Sequence, residues 1–209
     1  EAGHLDKEGR VKKWPDASSR GNHAFQDAPG HRPLYRNGAI GSRPAVRMKR
    51  TPRFLNTSKT VATDAETILL VFRHYSLGVG LHTLVGMTGQ PYGLRVRDGA
   101  NPPLVDWGVS GFDKGQENLL RGAPALGGGT VILTARRKAG PEGFIELYKD
   151  GELVKSAPHR NGRVDGKYII GAMQEGSAPM AGYIGEMLVY KSALSDVERR
   201  KVENYLRTK

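Results

Sequence analysis

The chain has 209 residues, with 28 glycines, 12 prolines, no cysteine and a formal net charge of +11. Without cysteine it has no disulfides and no thiolate nucleophile or metal ligand, so cysteine usage does not settle the compartment. No apolar run approaches the roughly 18 residues of a membrane-spanning helix, and the length suits a single all-β domain over residues 1–209.

Residues 1–13 are polar and loop-like, with Val11 to Trp14 as a short strand. Pro15 removes a ladder donor and stops that strand, and Gly21-Asn22 supplies a turn. Pro29, Pro33, Asn37-Gly38 and Gly41 are punctuation, and a short strand follows at Ala45–Met48. No acid lies between Asp27 and Asp64, whereas Arg32, Arg36, Arg43, Arg47, Lys49, Arg50, Arg53 and Lys59 do. That interval reads as a solvated basic face. The overall charge favours anionic partners: acidic or sulfated glycans, nucleic acid, anionic surfaces or acidic proteins.

Thr67–Arg73 is continuously apolar up to its last residue, as a strand covered on both faces should be. Leu81–Met87 and Gly93–Arg97 follow as strands. In the second, Leu94 and Val96 face inward and Arg95 and Arg97 outward. Asp98-Gly99 ends it, Pro102-Pro103 forbids regular structure, and Leu104–Val109, with Trp107, is another short strand. Gly127-Gly-Gly129 is a flexible joint before the strand Thr130–Arg136. Phe144–Tyr148 pairs with Glu152–Lys155 across Asp150-Gly151, the strongest hairpin signal in the chain. Tyr168–Gly171 is one more short strand.

The C-terminal stretch organises the rest. Gly182–Tyr190 reads as a long central strand, with Tyr183, Met187 and Val189 on one side and Ile184, Leu188 and Tyr190 on the other. Glu186 is a carboxylate on that strand and needs a partner. Ser195-Asp-Val-Glu198 is a capping box. The helix it opens carries a narrow apolar stripe, Val202, Tyr205 and Leu206, that must dock on the sheet.

These residues resemble the laminin-G-like, concanavalin-A-like jelly-roll domains of bacterial secreted and surface proteins. The resemblance rests on Val11-Lys-Lys-Trp14-Pro-Asp16 with Gly21-Asn-His-Ala24-Phe-Gln26; on Pro33-Leu-Tyr35 with Asn37-Gly38, Gly41 and Pro44-Ala-Val46; and on Gly182 to Tyr190 with Ala193-Leu-Ser195, Glu198-Arg199 and Val202 to Leu206. It implies a two-sheet antiparallel jelly-roll sandwich with a short C-terminal helix, and Trp14 in its core. Such domains open with a tryptophan-bearing strand that is here reduced to Glu1-Ala-Gly3, so the expectation is a trimmed fragment or a strand supplied from elsewhere. The resemblance further implies a carbohydrate- or protein-binding module of a larger protein, located extracellularly, at the cell surface or in the periplasm. Some relatives carry calcium; Asp16, Asn22 and Glu186 are the oxygen donors this sequence offers for it, if the fold brings them together.

Hydrolysis on this fold needs a facing carboxylate pair, and no strand presents alternating acids. A lyase would draw on Arg95, Arg97, His82 and Tyr92, whose spacing does not demand it. His74 and His82 form no standard zinc spacing. No nucleic-acid motif accompanies the charge, which argues against that partner. The expected ligand contacts are therefore Trp107 and Tyr92 as stacking platforms, with Arg95 and Arg97 on acidic groups. The function expected is non-catalytic carbohydrate binding or adhesion. A protein-docking module facing an acidic partner is the alternative, and a polysaccharide hydrolase or lyase the third.

Overall fold

The structure is a computed structural model that describes residues 4–75, 80–99, 103–108, 119–124, 129–160 and 162–208. Glu1-Ala-Gly3, Val109 and Gly127-Gly128 lie outside them. The strand Ala65–His74 sits at the centre. Its even-numbered side chains Ile68, Leu70 and Phe72 enter the main core. Its odd-numbered Leu69 and Val71 enter a second cluster with Leu194 and Leu206. Apolar rows on both faces require two covers, and the chain supplies a second sheet and a helix.

Among the described residues, seven strands form the sheet under the helix, edge to edge: Glu152–Pro158, Phe144–Lys149, Thr130–Lys138, Ala65–His74, Gly182–Tyr190, Arg43–Met48 and Leu34–Ile40. Eight described strands form the facing sheet: Lys13–Trp14, Ala24–Phe25, Leu55–Thr57, Tyr168–Ile170, Gly80–Met87, Gly93–Asp98, Leu104–Gly108 and Leu119–Pro124. Val61–Thr63 and Val164–Gly166 make a separate two-stranded ribbon. Neighbouring strands run antiparallel, for example Ala65–His74 against Thr130–Lys138 and Gly182–Tyr190. This is the jelly-roll sandwich read from the sequence.

Two strand readings need correction. Gly182–Tyr190 is central, but a bulge between Ile184 and Glu186 shifts its register and inverts the parity predicted for its first half. Tyr183 joins the helix-side cluster with Leu188 and Tyr190, while Ile184 and Met187 face the main core. An extra residue in one strand exchanges the faces of everything beyond it. Leu34–Ile40, read as punctuation, is a strand whose register shifts between Arg36 and Ile40. Asn37-Gly38 is absorbed there, with Gly38 in the left-handed region at φ 61°.

The helix Asp196–Arg207 begins with the predicted box: Ser195 caps the Glu198 amide, and the Glu198 carboxylate accepts from the Ser195 amide at 2.8 Å. Val202 and Leu206 dock on the sheet. Tyr205 stays 44% exposed, and its hydroxyl donates to Glu186 at 3.0 Å. That hydroxyl is the partner the Glu186 carboxylate required.

Candidate functional site

Two of the four expected ligand contacts are in the interior. Trp107 and Tyr92 are both 0% exposed, so neither offers a face to a sugar. The Pro- and Gly-rich surroundings of Trp107 suggested a loop. The alternation Val105-Asp106-Trp107 is the signal that decides its direction, since it puts Trp107 on the inward face with Val105. Tyr92 points its hydroxyl at Glu66 Oε1, 3.0 Å away.

Arg95 and Arg97 do project from the outward face of Gly93–Asp98, as read from the sequence. Arg97 is committed there: it grips Asp106 through Nε and Nη2 at 2.7–3.1 Å. His82 lies opposite Val96 in the ladder and therefore faces inward with it. The four groups that would serve a lyase are thus split between the two faces of one sheet.

The suggested calcium donors have other bonds. Asp16 accepts the Ser18 and Asn22 amides at 2.9 and 2.7 Å, which fixes the Gly21-Asn22 turn. Asn22 Oδ1 accepts the Lys59 amide at 2.8 Å. Glu186 is held by Tyr205 in the helix-side sheet.

At one end of the sandwich a charged cluster closes the core. Glu66 and Arg137 are both fully buried, side by side on paired strands, with Nε 2.7 Å from Oε1. Tyr92 and Tyr168 hydroxyls donate to the same carboxylate. Arg137 also reaches the carbonyls of Thr63, Asp64 and Gly162, tying down the small ribbon. Burial, and after it the Glu66 charge, hold both phenols well above their usual pKa. His159, 0% exposed, places Nε2 3.4 Å from Arg137 Nη1. Burial first, then the Arg137 charge, lower its pKa from 6.5 to about 4.

That depression predicts an acid-sensitive fold. Between pH 6.5 and 4 the unfolded chain takes up a proton at His159 that the folded chain refuses, so stability falls as pH drops through this window. The displacement corresponds to about 3 kcal/mol once fully expressed. Urea unfolding at pH 7 and pH 4.5 should show a smaller acid loss in His159→Gln than in the wild type. Equal losses in the two proteins count against this assignment.

At the opposite end, His74 closes its strand and meets His82 and Asp98 from the facing sheet. His74 Nε2 lies 2.9 Å from Asp98 Oδ1, and His82 Nε2 lies 3.2 Å from Oδ2. The imidazole centroids are 5.3 Å apart. His82 Nδ1 is 3.1 Å from the Pro179 carbonyl. The sequence treats these histidines as scattered; the packing of the two sheets brings them together. Parity was the available signal, because Asp98 follows Leu94 and Val96 on the inward side and His74 follows Phe72.

Near the start of the chain the described residues surround a cleft of about 350 Å³, lined by Trp14, Tyr35, Lys13, His4, Pro15 and the Val46 strand among others. Trp14 and Tyr35 are partly buried, packing one side on the core. Lys13 Nζ stands 5.6 Å from the Phe25 ring centroid, and His4 Nδ1 is buried without a hydrogen-bond partner. Trp14 was expected in the core and Tyr35 was not singled out; their shared cleft follows from strand pairing that no local pattern displays. Volume and lining match those of small-molecule sites, which are concave, aromatic and carry few polar groups.

No family model and no curated protein matches this chain. Solved structures do match it in fold. The sialidase module CBM40 of Ruminococcus gnavus bound to α2,3-sialyllactose aligns at 19% identity and TM-score 0.55, covering 68% of this chain and 84% of that one. The binding domain of Paraclostridial Mosquitocidal Protein 1 aligns over 97% of this chain at 14% identity and TM-score 0.64; this chain spans about half of it, 51%. The receptor-binding domain of botulinum neurotoxin type G aligns at 11% identity and TM-score 0.63, over 95% of this chain and 51% of that one. All three are jelly-roll, lectin-like sandwiches of the architecture seen here. Among the described residues no helix is long and apolar enough to cross a membrane.

Proposed function

We propose that this chain is a non-catalytic carbohydrate-binding module with a preference for acidic sugars. The cleft carries the reading. Trp14 and Tyr35 provide aromatic faces for a pyranose ring, and Lys13 also lines this opening of about 350 Å³. The net charge of +11 raises the local concentration of anionic glycans. Support comes from fold neighbours described as binding domains, one of them holding a sialylated sugar. Residence outside the cytoplasm, as an adhesive part of a larger laminin-G-like protein, belongs to the same proposal.

Titration calorimetry with sialyllactose, a uronate oligomer and a sulfated oligomer tests it. Trp14→Leu retains apolar bulk but not the ring, and should weaken binding at least tenfold, about 1.4 kcal/mol, with little change in melting temperature. Trp14 and Trp107 are the only tryptophans, so a ligand in the cleft should perturb the fluorescence of Trp14 alone. Silence towards all three glycans, with recovery of a stoichiometric acidic protein instead, favours a docking module and overturns the carbohydrate reading.

A further inference from the structure

We propose that His74, His82 and Asp98 form a binding site for a divalent transition-metal ion, zinc by its donor chemistry, that ties the two sheets together. The site is independent of the carbohydrate cleft. The Pro179 carbonyl sets which nitrogen of His82 carries a hydrogen toward it. A carbonyl oxygen only accepts hydrogen bonds, so the 3.1 Å contact with Pro179 requires the proton on Nδ1. Nε2 of the same ring lies 3.2 Å from Asp98 Oδ2. It has no hydrogen-bond partner, and the side chain is only 4% exposed. A buried ring nitrogen without a hydrogen bond, close to a buried carboxylate, is costly. The arrangement becomes favourable when a cation lies between them.

The geometry accommodates one. The donor atoms of all three residues lie within 4.8 Å of one another, and this is the sole such group of three or more His, Cys, Asp or Glu among the described residues. Ligand bonds of about 2.0–2.2 Å in tetrahedral zinc place donors about 3.4 Å apart. The two observed donor contacts, 2.9 and 3.2 Å, open by a few tenths of an ångström, while donors standing up to 4.8 Å apart draw together. The Pro179 carbonyl is the outer partner that metal-bound imidazoles characteristically use to fix their tautomer. Two imidazoles and one carboxylate favour zinc and its first-row neighbours and disfavour calcium, which takes oxygen ligands. Three protein donors leave at least one position for water. To ligate through Nε2, His74 would shift the hydrogen that now bridges it to Asp98 Oδ1 onto its own Nδ1, which has no hydrogen-bond partner here.

The site also has a mechanical meaning. His74 ends a strand of the helix-side sheet, while His82 and Asp98 belong to adjacent strands of the other. An ion held by all three would bridge the sandwich at its rim without a disulfide.

The chelator-stripped 209-residue chain, titrated separately with zinc, cobalt(II), calcium and magnesium chlorides, tests the proposal. The expected result is one zinc per chain, a raised melting temperature with zinc or cobalt but not with calcium or magnesium, and visible ligand-field absorption from the cobalt form. Asp98→Asn and His82→Gln preserve size, and each should weaken zinc binding at least tenfold. A double variant, His82→Gln with Asp98→Asn, checks that any remaining zinc sits elsewhere. Absence of zinc and cobalt binding to the stripped protein overturns the proposal. So does a one-to-one zinc complex that the double variant forms equally well.

Discussion

Arg137→Met should cost about 3–5 kcal/mol of folding stability, because it leaves the Glu66 carboxylate charged and buried without its cation. Both side chains are 0% exposed, so water cannot take over the lost contact. The two tyrosine hydroxyls remain as donors to Glu66, but hydrogen bonds from neutral groups do not cancel a charge. Arg137 also holds the carbonyls of Thr63, Asp64 and Gly162, so the ribbon Val61–Thr63 with Val164–Gly166 should loosen first. A second variant separates the contributions. Glu66→Gln in the Arg137→Met background removes the stranded charge, while its amide oxygen still accepts from a tyrosine. The double variant should therefore be more stable than Arg137→Met alone, a coupling that neighbouring groups of one network display. Denaturant unfolding of the four proteins measures it. A single-variant loss below about 1 kcal/mol, with no recovery in the double, means that the pair is not loaded as described.

Trp107→Ala should cost about 3–5 kcal/mol, the usual range for deleting a buried ring. The indole is 0% exposed and packs into the main core with Val105, Leu94 and Tyr92. Any glycan affinity lost by this variant should track the unfolded fraction and return under conditions that refold it. Trp14→Leu should do the reverse, keeping the fold and losing the ligand. Melting curves recorded beside binding isotherms distinguish the two. A Trp107→Ala protein that melts with the wild type yet fails to bind restores Trp107 as a sugar platform.

The contrast between these tryptophans shows what was legible in the sequence. Strong periodic stretches announced themselves: the doubly covered strand, the Asp150-Gly151 hairpin and the Ser195 capping box all stand where the residues placed them. Side-chain direction was legible only where alternation ran unbroken. Leu94 and Val96 were assigned inward correctly, whereas one bulged residue at Gly185 exchanged the two sides of Gly182–Tyr190. Trp107 was misjudged because nearby prolines and glycines outweighed a two-residue alternation with Val105. The cleft had no signal in the sequence, and the histidine pair had only the inward parity of His74 and Asp98. Each is assembled from segments far apart in sequence or on opposite sheets: Trp14 with Tyr35 and Val46, and His74 with His82 and Asp98. Spacing rules for metals and sugars assume neighbours in sequence, and here the neighbours are made by strand order.

The inward row of Ala65–His74 has Glu66 at one extremity, His74 at the other and the apolar Ile68, Leu70 and Phe72 between them. The two polar positions are about 27 Å apart along the strand. Sliding this strand by two residues would preserve its alternation, and a purely hydrocarbon row would tolerate that error. Here the same slip drags an ionisable group into the oily middle and strands its counterpart. The two ends thus act as stops on a ruler, admitting a single alignment of the central strand among those that hydrophobicity alone would permit.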